Sequence, residues 1–382
     1  MVTPVGDTFE ATWNALLSGK SGIAPITRFD AQKYPVTFGA EVKRAGNGLQ
    51  LASEILSEAL AEAMTGVDLS DVLAERIGVY VGAEAARPAL STLAHQLINA
   101  EVPSEQEIEA HLPKRWSKEI AVKVGAKGPR STYSVACTSS GQAIAEALYG
   151  LRRGEVDVAI VAGVDLLVHP LMVTGFSRLG ALSTRNAEPT KASRPFDKDR
   201  DGFVLGEGAG VMVLTTKSKQ VDVGPLHGWV LGAGITSNAW RITDSPPEGR
   251  GAMAAMLDAV KDAGVAVSDV VYVNAHGTST AQNDRSEAQA IFTAFGSDGP
   301  LVSSTKSTMG HLVAACGVVE ALITLRAVSD RIAPPTANLE NPDPDCPVRH
   351  VPIHSATLPE GVGISNAFGF GGTNASVVMA AP

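Results

Sequence analysis

Residues 133–148 read YSVACTSSGQAIAEAL, and the one cysteine among them, Cys137, is flanked by Ala136, Thr138, Ser139, Ser140 and Gly141. The preceding 131–136 has strand character. From Ile144 the apolar residues Ile144, Ala147, Leu148 and Leu151 fall at helical spacing. Cys137 is therefore expected on a tight strand-to-helix turn. There the positive end of a helix dipole and free N–H groups favour the thiolate. Alone, the run suits a small buried thiol equally well. Cys316, in an apolar helical run, reads as core packing. Cys346, in NPDPDCP, reads as an incidental loop residue.

Three later stretches carry matching chemistry. VVYVNAHGTST (270–280) presents His276 at the end of a buried strand, where ligands and catalytic groups gather in α/β folds. SSTKSTMGHLVAACGVVE (303–320) sets Lys306 five residues before His311 and Glu320 nine after it. His311 is expected to open an apolar helix over 311–328, with Glu320 placed to pair with Lys306. A capping histidine beside a solvated lysine would fit the same letters. SNAFGFGGTN (365–374) alternates aromatic and glycine residues, which suits either a hairpin or a backbone brought close to a ligand.

These groups need a scaffold. Apolar strand-like runs alternate with amphipathic helical ones, as in layered α/β proteins. Helices are expected over 7–18, with Asp7 and Glu10 at capping-box spacing, and over 50–64, 251–263 and 284–295. Strands are expected at RIGVYVG, 157–165, 208–216, 228–233, 269–274 and in a final pair near 361–379. The polar stretch 217–227 is a natural midpoint, which suggests two similar halves, 1–220 and 221–382. The 382 residues, with 45% hydrophobic content and 38 glycines, are ample for a large core. No apolar run approaches the roughly 20 residues of a membrane span. No signal peptide is visible, and three cysteines do not make a disulfide framework, so a reducing, cytoplasmic setting is expected. A net charge of −9 argues against general nucleic-acid binding.

Taken together and in this order, VACTSSG, NAHGTST, KSTMGH and NAFGFGGTN, with STRNAEPTKASRPFDKDRDGFVLGEG (183–208), resemble the β-ketoacyl–acyl-carrier-protein synthases of the thiolase-like superfamily, over nearly the whole chain. The resemblance implies a five-layered αβαβα fold of two similar halves. It implies Cys137 as the acylated nucleophile, His276 and His311 as the histidine pair, and Lys306 and Glu320 as supporting charges. Phe370, between Gly369 and Gly371, would gate the site, and its N–H would join that of Cys137 in an oxyanion hole. Thr278, Thr280 and Phe368 would contact substrate. The implied reaction is decarboxylative condensation of a Cys-bound acyl chain with malonyl-carrier, in fatty-acid or type II polyketide or polyene synthesis, with no metal or organic cofactor. Implied partners are acyl carrier protein and a second subunit, identical or ketosynthase-like. Carriers are acidic, so Lys114, Arg115, Lys118, Lys191 and Arg194 are expected docking residues.

Other classes fit less well. Thiolases need a second cysteine near the C-terminal loop, where this chain has GFGGTN. Initiating synthases pair Cys with His and Asn, whereas His311 stands here. A chain-length-controlling partner subunit would lack the nucleophile. A cysteine hydrolase has only the Cys and His in its favour. The chain departs from the family's pattern at its start, MVTPVGDTF, where an earlier strand is normal. It departs again at AEAARPA (83–89), which replaces a glycine-rich stretch, in the charged segment 93–125, and at Asn283 in AQNDRSE. In relatives the region of 93–125 helps form the acyl pocket and the dimer contact, so a specialised synthase, paired with a second ketosynthase-like subunit, is expected.

Overall fold

The computed structural model describes residues 1–46, 48–84, 87–217 and 224–382, with the backbone alone for 87–92. Its helices are α1 (Phe9–Leu17), α2 (Gly48–Ala63), α3 (Arg87–Ile98), α4 (Glu105–His111), α5 (Lys114–Val124), α6 (Ser139–Arg152), α7 (Pro170–Arg178), α8 (Arg250–Ala263), α9 (Ala281–Phe295), α10 (Lys306–Met309) and α11 (Cys316–Asp330). One sheet is built from β1 (Ile77–Ala83), β2 (Arg130–Tyr133), β3 (Val158–Leu166) and β4 (Glu207–Thr215). A second, six-stranded sheet uses β5 (Trp229–Ser237), β6 (Val270–Asn274), β7 (Leu301–Ser303), β8 (Arg349–His350), β9 (Val362–Phe368) and β10 (Thr373–Ala380), and two short two-stranded ribbons lie apart from both.

The first sheet runs β2-β1-β3-β4 and the second β8-β7-β6-β9-β10-β5. β1 lies parallel to β2 and β3, and β4 returns antiparallel. β6 is parallel to β7 and β9, while β10 is antiparallel to β9 and β5. β1, β3 and β9 are buried along their whole length, which is why they read as continuous apolar runs rather than alternating ones.

Helices α6 and α11 cross between the two sheets and touch both. α2 and α5 cover the outer face of the first sheet, and α8, backed by α9, covers the second. These are the five layers α, β, α, β, α of a thiolase-like fold. Side chains such as Ile144 on α6 and Val318, Val319 and Ile323 on α11 are buried in the middle layer. Each contributes about 1.5–3 kcal/mol by leaving water. Small residues let the two helices meet. A Cβ on Gly317 would stand 2.4 Å from the Gly141 nitrogen, and a Cβ on Gly82 of β1 would stand 2.2 Å from the Ser140 nitrogen.

Three local expectations are corrected. Helix α1 is capped by Thr8, whose side chain accepts from Ala11, while Asp7 pairs with Arg44 at 2.9 Å. His311 does not open α11. Gly310 sits at φ +68° and Val313 at φ +38°, so the chain turns through a 3-10 segment before the helix begins at Cys316. Cys346 is no incidental loop residue: it is 3% exposed within a core cluster, and burial pushes its thiol up to about 12. Near the start of the sequence Val2 forms an antiparallel bridge with Ala209 of β4. The expected midpoint falls largely on 218–223, outside the described residues, as do Ala85 and Ala86 of the AEAARPA run. Among the described residues no helix is long and apolar enough to cross a membrane, and no disulfide joins the three cysteines.

Candidate active site

β2 ends at Tyr133, and the chain turns through a 3-10 step, Ala136–Thr138, into α6. Ala136 takes φ +52°, a left-handed conformation that costs an L-residue about 1–2 kcal/mol. Ser139 helps hold the turn, accepting from Val135 N at 3.0 Å and donating to the Ala136 carbonyl at 2.6 Å. Cys137 is left at the turn's apex, only 8% exposed, with its Sγ 3.0 Å from Nε2 of His311. Cys316, at the start of α11, points its thiol at the Cys137 carbonyl, 3.2 Å away.

His311 is fixed through its backbone. Its N–H donates to Val204 O at 2.8 Å, and its carbonyl accepts from Gly206 at 3.0 Å. Its Nδ1 accepts the backbone N–H of Val313 at 3.3 Å. An acceptor at Nδ1 leaves the ring proton on Nε2, facing Cys137 and the cavity.

His276 follows the C-terminal end of β6. Glu287 of α9 grips its backbone, accepting the N–H groups of His276 and Gly277 at 2.8 Å each, and takes a third bond from Asn366 at 3.1 Å. Burial still pushes the Glu287 carboxyl up to about 7, against the pull of those donors. The His276 ring stands edge-on to His311, with centroids 5.2 Å apart. Burial, then the nearby Lys306 and His311, hold it well below the ordinary imidazole range, so it is neutral at physiological pH. Its Nδ1 has no hydrogen-bond partner among the described residues.

Lys306 and Glu320 form a fully buried ion pair, Nζ to Oε1, at 2.5 Å. Burial pushes Glu320 up to about 7 while Lys306 opposes it. Burial works against the Lys306 charge, but Glu320 outweighs it and the ammonium is held above its ordinary value.

The loop between β9 and β10 closes the site. Gly369 N donates to Thr373 O at 2.8 Å, and Gly371 N to Ile242 O at 2.7 Å, which ties it to the segment 238–249. A Cβ on Gly369 would lie only 3.4 Å from the Cys137 nitrogen, so the loop runs directly against the turn. Phe370 is 38% exposed. Its ring leads to Phe176 at 6.4 Å, then to Phe203 at 5.3 Å, then to His311 at 5.5 Å.

These residues enclose a cavity of about 260 Å³. Cys137, His276, His311, Thr278, Thr280, Phe368, Gly369 and Phe370 all line it, whereas the buried Lys306 and Glu320 and the exposed Gly371 do not. Thr278 and Thr280 share a 2.9 Å hydroxyl contact. Phe176, Phe203, Asn283 and the segment Thr243–Ser245 also line it, and motif reading did not single them out as substrate contacts. Glu287 was missed too, although a glutamate between Ser286 and Ala288 on a buried helix face was a visible signal.

One ligand atom from each of Cys137, His276 and His311 lies within 4.8 Å of the others. A Cys/His set of this kind suits a soft ion, and the same spacing lets both imidazoles reach one substrate oxygen beside the sulfur.

The five expected docking cations differ in their surroundings. Lys114 pairs with Glu109 at 2.7 Å, Arg115 stacks on Trp116, Lys118 is exposed, and Lys191 pairs with Glu188 at 2.8 Å. Arg194 is buried against Asp197 at 3.0 Å, so it has no surface to offer a partner. None of the five lines the cavity.

Family comparisons follow the same lines. Residues 41–220 match the model for the β-ketoacyl synthase N-terminal domain, and 227–340 match that for its C-terminal domain. The chain is 37% identical to a protein named 3-oxoacyl-[acyl-carrier-protein] synthase 2 from Synechocystis, covering 99% of this chain and 95% of that one. It is also 37% identical to the one so named from Coxiella burnetii, over 99% and 96%. Among solved structures, a ketosynthase complexed with its type II polyketide acyl-carrier protein (AntDE:AntF) has a TM-score of 0.92 at 28% identity, covering 100% and 97%. The ishigamide ketosynthase/chain length factor gives 0.89 at 27%, covering 100% and 97%. With its two sheets, its buried Cys, His and His and these full-length matches, the chain belongs to the β-ketoacyl synthase family.

Proposed function

We propose that this chain is a condensing acyltransferase that joins a Cys137-bound acyl chain to malonyl-acyl carrier protein and releases 3-oxoacyl-carrier. The observation that carries the reading is the Cys137–His311 contact of 3.0 Å in a cavity that His276 also faces. In the first step the Cys137 thiolate attacks the acyl-carrier thioester. The carbonyl oxygen takes the negative charge, stabilised by the N–H groups of Cys137 and Phe370. The C–S bond to the carrier breaks, and the carrier leaves as its thiol.

In the second step malonyl-carrier enters. Its C–C bond to the carboxylate breaks, CO2 leaves, and the electron pair becomes an enolate on the thioester. Nε2–H of His311 and the neutral ring of His276 donate to that oxygen. The enolate carbon attacks the acyl carbonyl, a C–C bond forms, and Cys137 departs as thiolate. His276 acts as a neutral donor, which its burial favours. Lys306, paired with Glu320, supplies a fixed positive field behind His276. Glu287 positions His276 through the backbone. Acyl carrier protein is the partner. Either an identical subunit or a ketosynthase-like one completes the assembly, and the reaction takes place in the cytoplasm.

Intact-protein mass spectrometry with an acyl-carrier thioester, beside Cys137→Ala, tests this. An acyl adduct that requires Cys137, followed by 3-oxoacyl product when malonyl-carrier is added, is expected. A chain that takes no adduct from any acyl length overturns the reading and favours a partner subunit without chemistry.

A further inference from the structure

The segment RPFDKDRDG (194–202) has no part in the chemistry of Cys137 and the histidines, yet it packs against the stretch Thr278–Thr280 from the other half of the chain. Ser279, at the centre of that stretch, takes a left-handed φ of +73°. A serine persists in that conformation only where its surroundings over-determine it. Here they do. Arg194 N donates to Ser279 Oγ at 2.9 Å, and Gly202 N donates to the Ser279 carbonyl at 3.1 Å. The N–H of Ser279 goes to Asp284 Oδ1 at 3.2 Å, while Asp284 Oδ2 accepts Phe196 N at 2.9 Å. On either side, Thr278 and Thr280 line the cavity with their hydroxyls in contact at 2.9 Å.

We propose that Arg200 is a positioning residue for the Thr278–Thr280 hydroxyl pair, and that through this pair it sets how tightly the incoming carrier thioester is held. This rests on Cys137 being acylated from a carrier thioester. The Arg200 side chain is 1% exposed and does not line the cavity, so it acts through the main chain. Its Nε donates to the Thr280 carbonyl at 3.3 Å and its Nη2 to the Ala281 carbonyl at 2.9 Å. Its Nη1 donates to the Asp197 carbonyl at 2.8 Å and to Asp343 Oδ2 at 2.7 Å. Asp284 Oδ2 stands 3.4 Å from Nε. One planar guanidinium thus joins the first turn of α9, the segment 194–202 and the loop at Asp343. Its fixed fork serves all of these acceptors at once, which a single ammonium cannot do. The two threonines, on a backbone pinned at Thr280 and Ala281 by Arg200 and at Ser279 by Asp284, present their hydroxyls in one fixed place.

The test follows acylation of Cys137 by an acyl-carrier thioester, by intact mass against time over a range of carrier concentrations. It compares the full chain with R200K, with T278V/T280V and with all three changes together. Lysine keeps a positive charge between Asp284 and Asp343 but brings one nitrogen where Arg200 uses three. In R200K the carrier concentration at half-maximal rate is expected to rise about tenfold, with a smaller drop in the maximal rate. Alkylation of Cys137 by iodoacetamide, which needs neither hydroxyl, should keep its wild-type rate. In the T278V/T280V background the lysine should cost nothing further, because the groups it acts through are gone. A wild-type concentration dependence in R200K, a slowed alkylation, or the same cost with and without the two hydroxyls overturns the proposal. If R200K does not fold, D343N loosens the outer anchor while leaving Arg200 in place, and it carries the same cycle with a smaller expected rise; no rise there overturns the proposal equally. Failure of the parent reading shows in the unaltered chain, which would then take no acyl group. Failure of the role of Arg200 alone leaves that acylation intact.

Discussion

The backbone N–H of Val313 donates to Nδ1 of His311 at 3.3 Å, and that contact favours the ring proton on Nε2. Nε2–H then faces the sulfur of Cys137 and, later in the cycle, the enolate oxygen. His311→Ala removes the donor altogether. Condensation should fall on the order of 100- to 1000-fold, the usual cost of one lost oxyanion donor. His311→Gln restores an N–H and should recover part of the loss. Product formation from pre-acylated enzyme reads this directly; equal defects in both variants would count against the donor role.

Lys306→Ala leaves Glu320 buried without its partner. Loss of one member of a buried pair costs about 3–5 kcal/mol, and urea unfolding should show it. The double change Lys306→Met with Glu320→Leu removes both charges and should regain most of that stability while remaining catalytically impaired. A double variant as active as the wild type would remove the pair from the chemistry.

The pH dependence of stability has a definite sign. Glu207 and Glu287 are both buried and both pushed up to about 7, against 4.5 when solvated. Over that window the folded state binds more protons than the unfolded chain. Their contribution to stability is full below pH 4.5 and is lost as pH rises through 7. The difference of 2.5 units, 7 less 4.5, corresponds to roughly 3 kcal/mol for each group. Unfolding free energy from these groups should decline between pH 5 and 8, and Glu287→Gln should flatten the decline. Calorimetry across that range would sink the idea if the slope in the variant matched the wild type.

Phe370 rests on the loop that also contacts the nucleophile turn, and its ring closes the outer end of the aromatic row. Phe370→Ala should let malonyl-carrier reach His276 and His311 before Cys137 is acylated. The expected sign is a several-fold rise in acetyl-carrier formed without an acyl primer, measured by carrier mass. No rise would argue that the side chain does not gate entry.

Gly82→Ala would drive a methyl group to 2.2 Å from the Ser140 nitrogen. Overpacking of this kind costs about 1–3 kcal/mol, and here it bears on the first turn of α6. Both the thermal midpoint and the acylation rate at Cys137 should drop. A variant that loses stability but acylates normally would separate the two effects.

Much of this was legible in the sequence, for identifiable reasons. Cys137 follows a strand and His276 a buried strand, each among small residues, a pattern that local letters carry. Lys306 and Glu320 are charged residues inside apolar surroundings, and such residues need partners. The unread parts depend on distant chain. Arg194 reads as a surface cation until Asp197 and Glu340 fold over it. The start of α11 reads five residues early, because the apolar periodicity runs through Val313 while the backbone there has turned left-handed. Glu287 acts on His276 through the main chain, and no motif records that contact.

The close crossing at Gly141 and Gly317 has a practical consequence for anyone recombining such proteins. Cys137 comes from one side of the segment 218–223, and both histidines come from the other. A hybrid assembled at that junction from two relatives therefore inherits its sulfur and its imidazoles from different parents. Their 3.0 Å contact survives only if the hinge-point of the two central helices is equally narrow in both donors. Hybrids that carry alanine at Gly317 should fold as sheets and helices yet fail to acylate. Interchangeability of parts in this architecture is thus set by one missing methyl group as much as by the catalytic letters themselves.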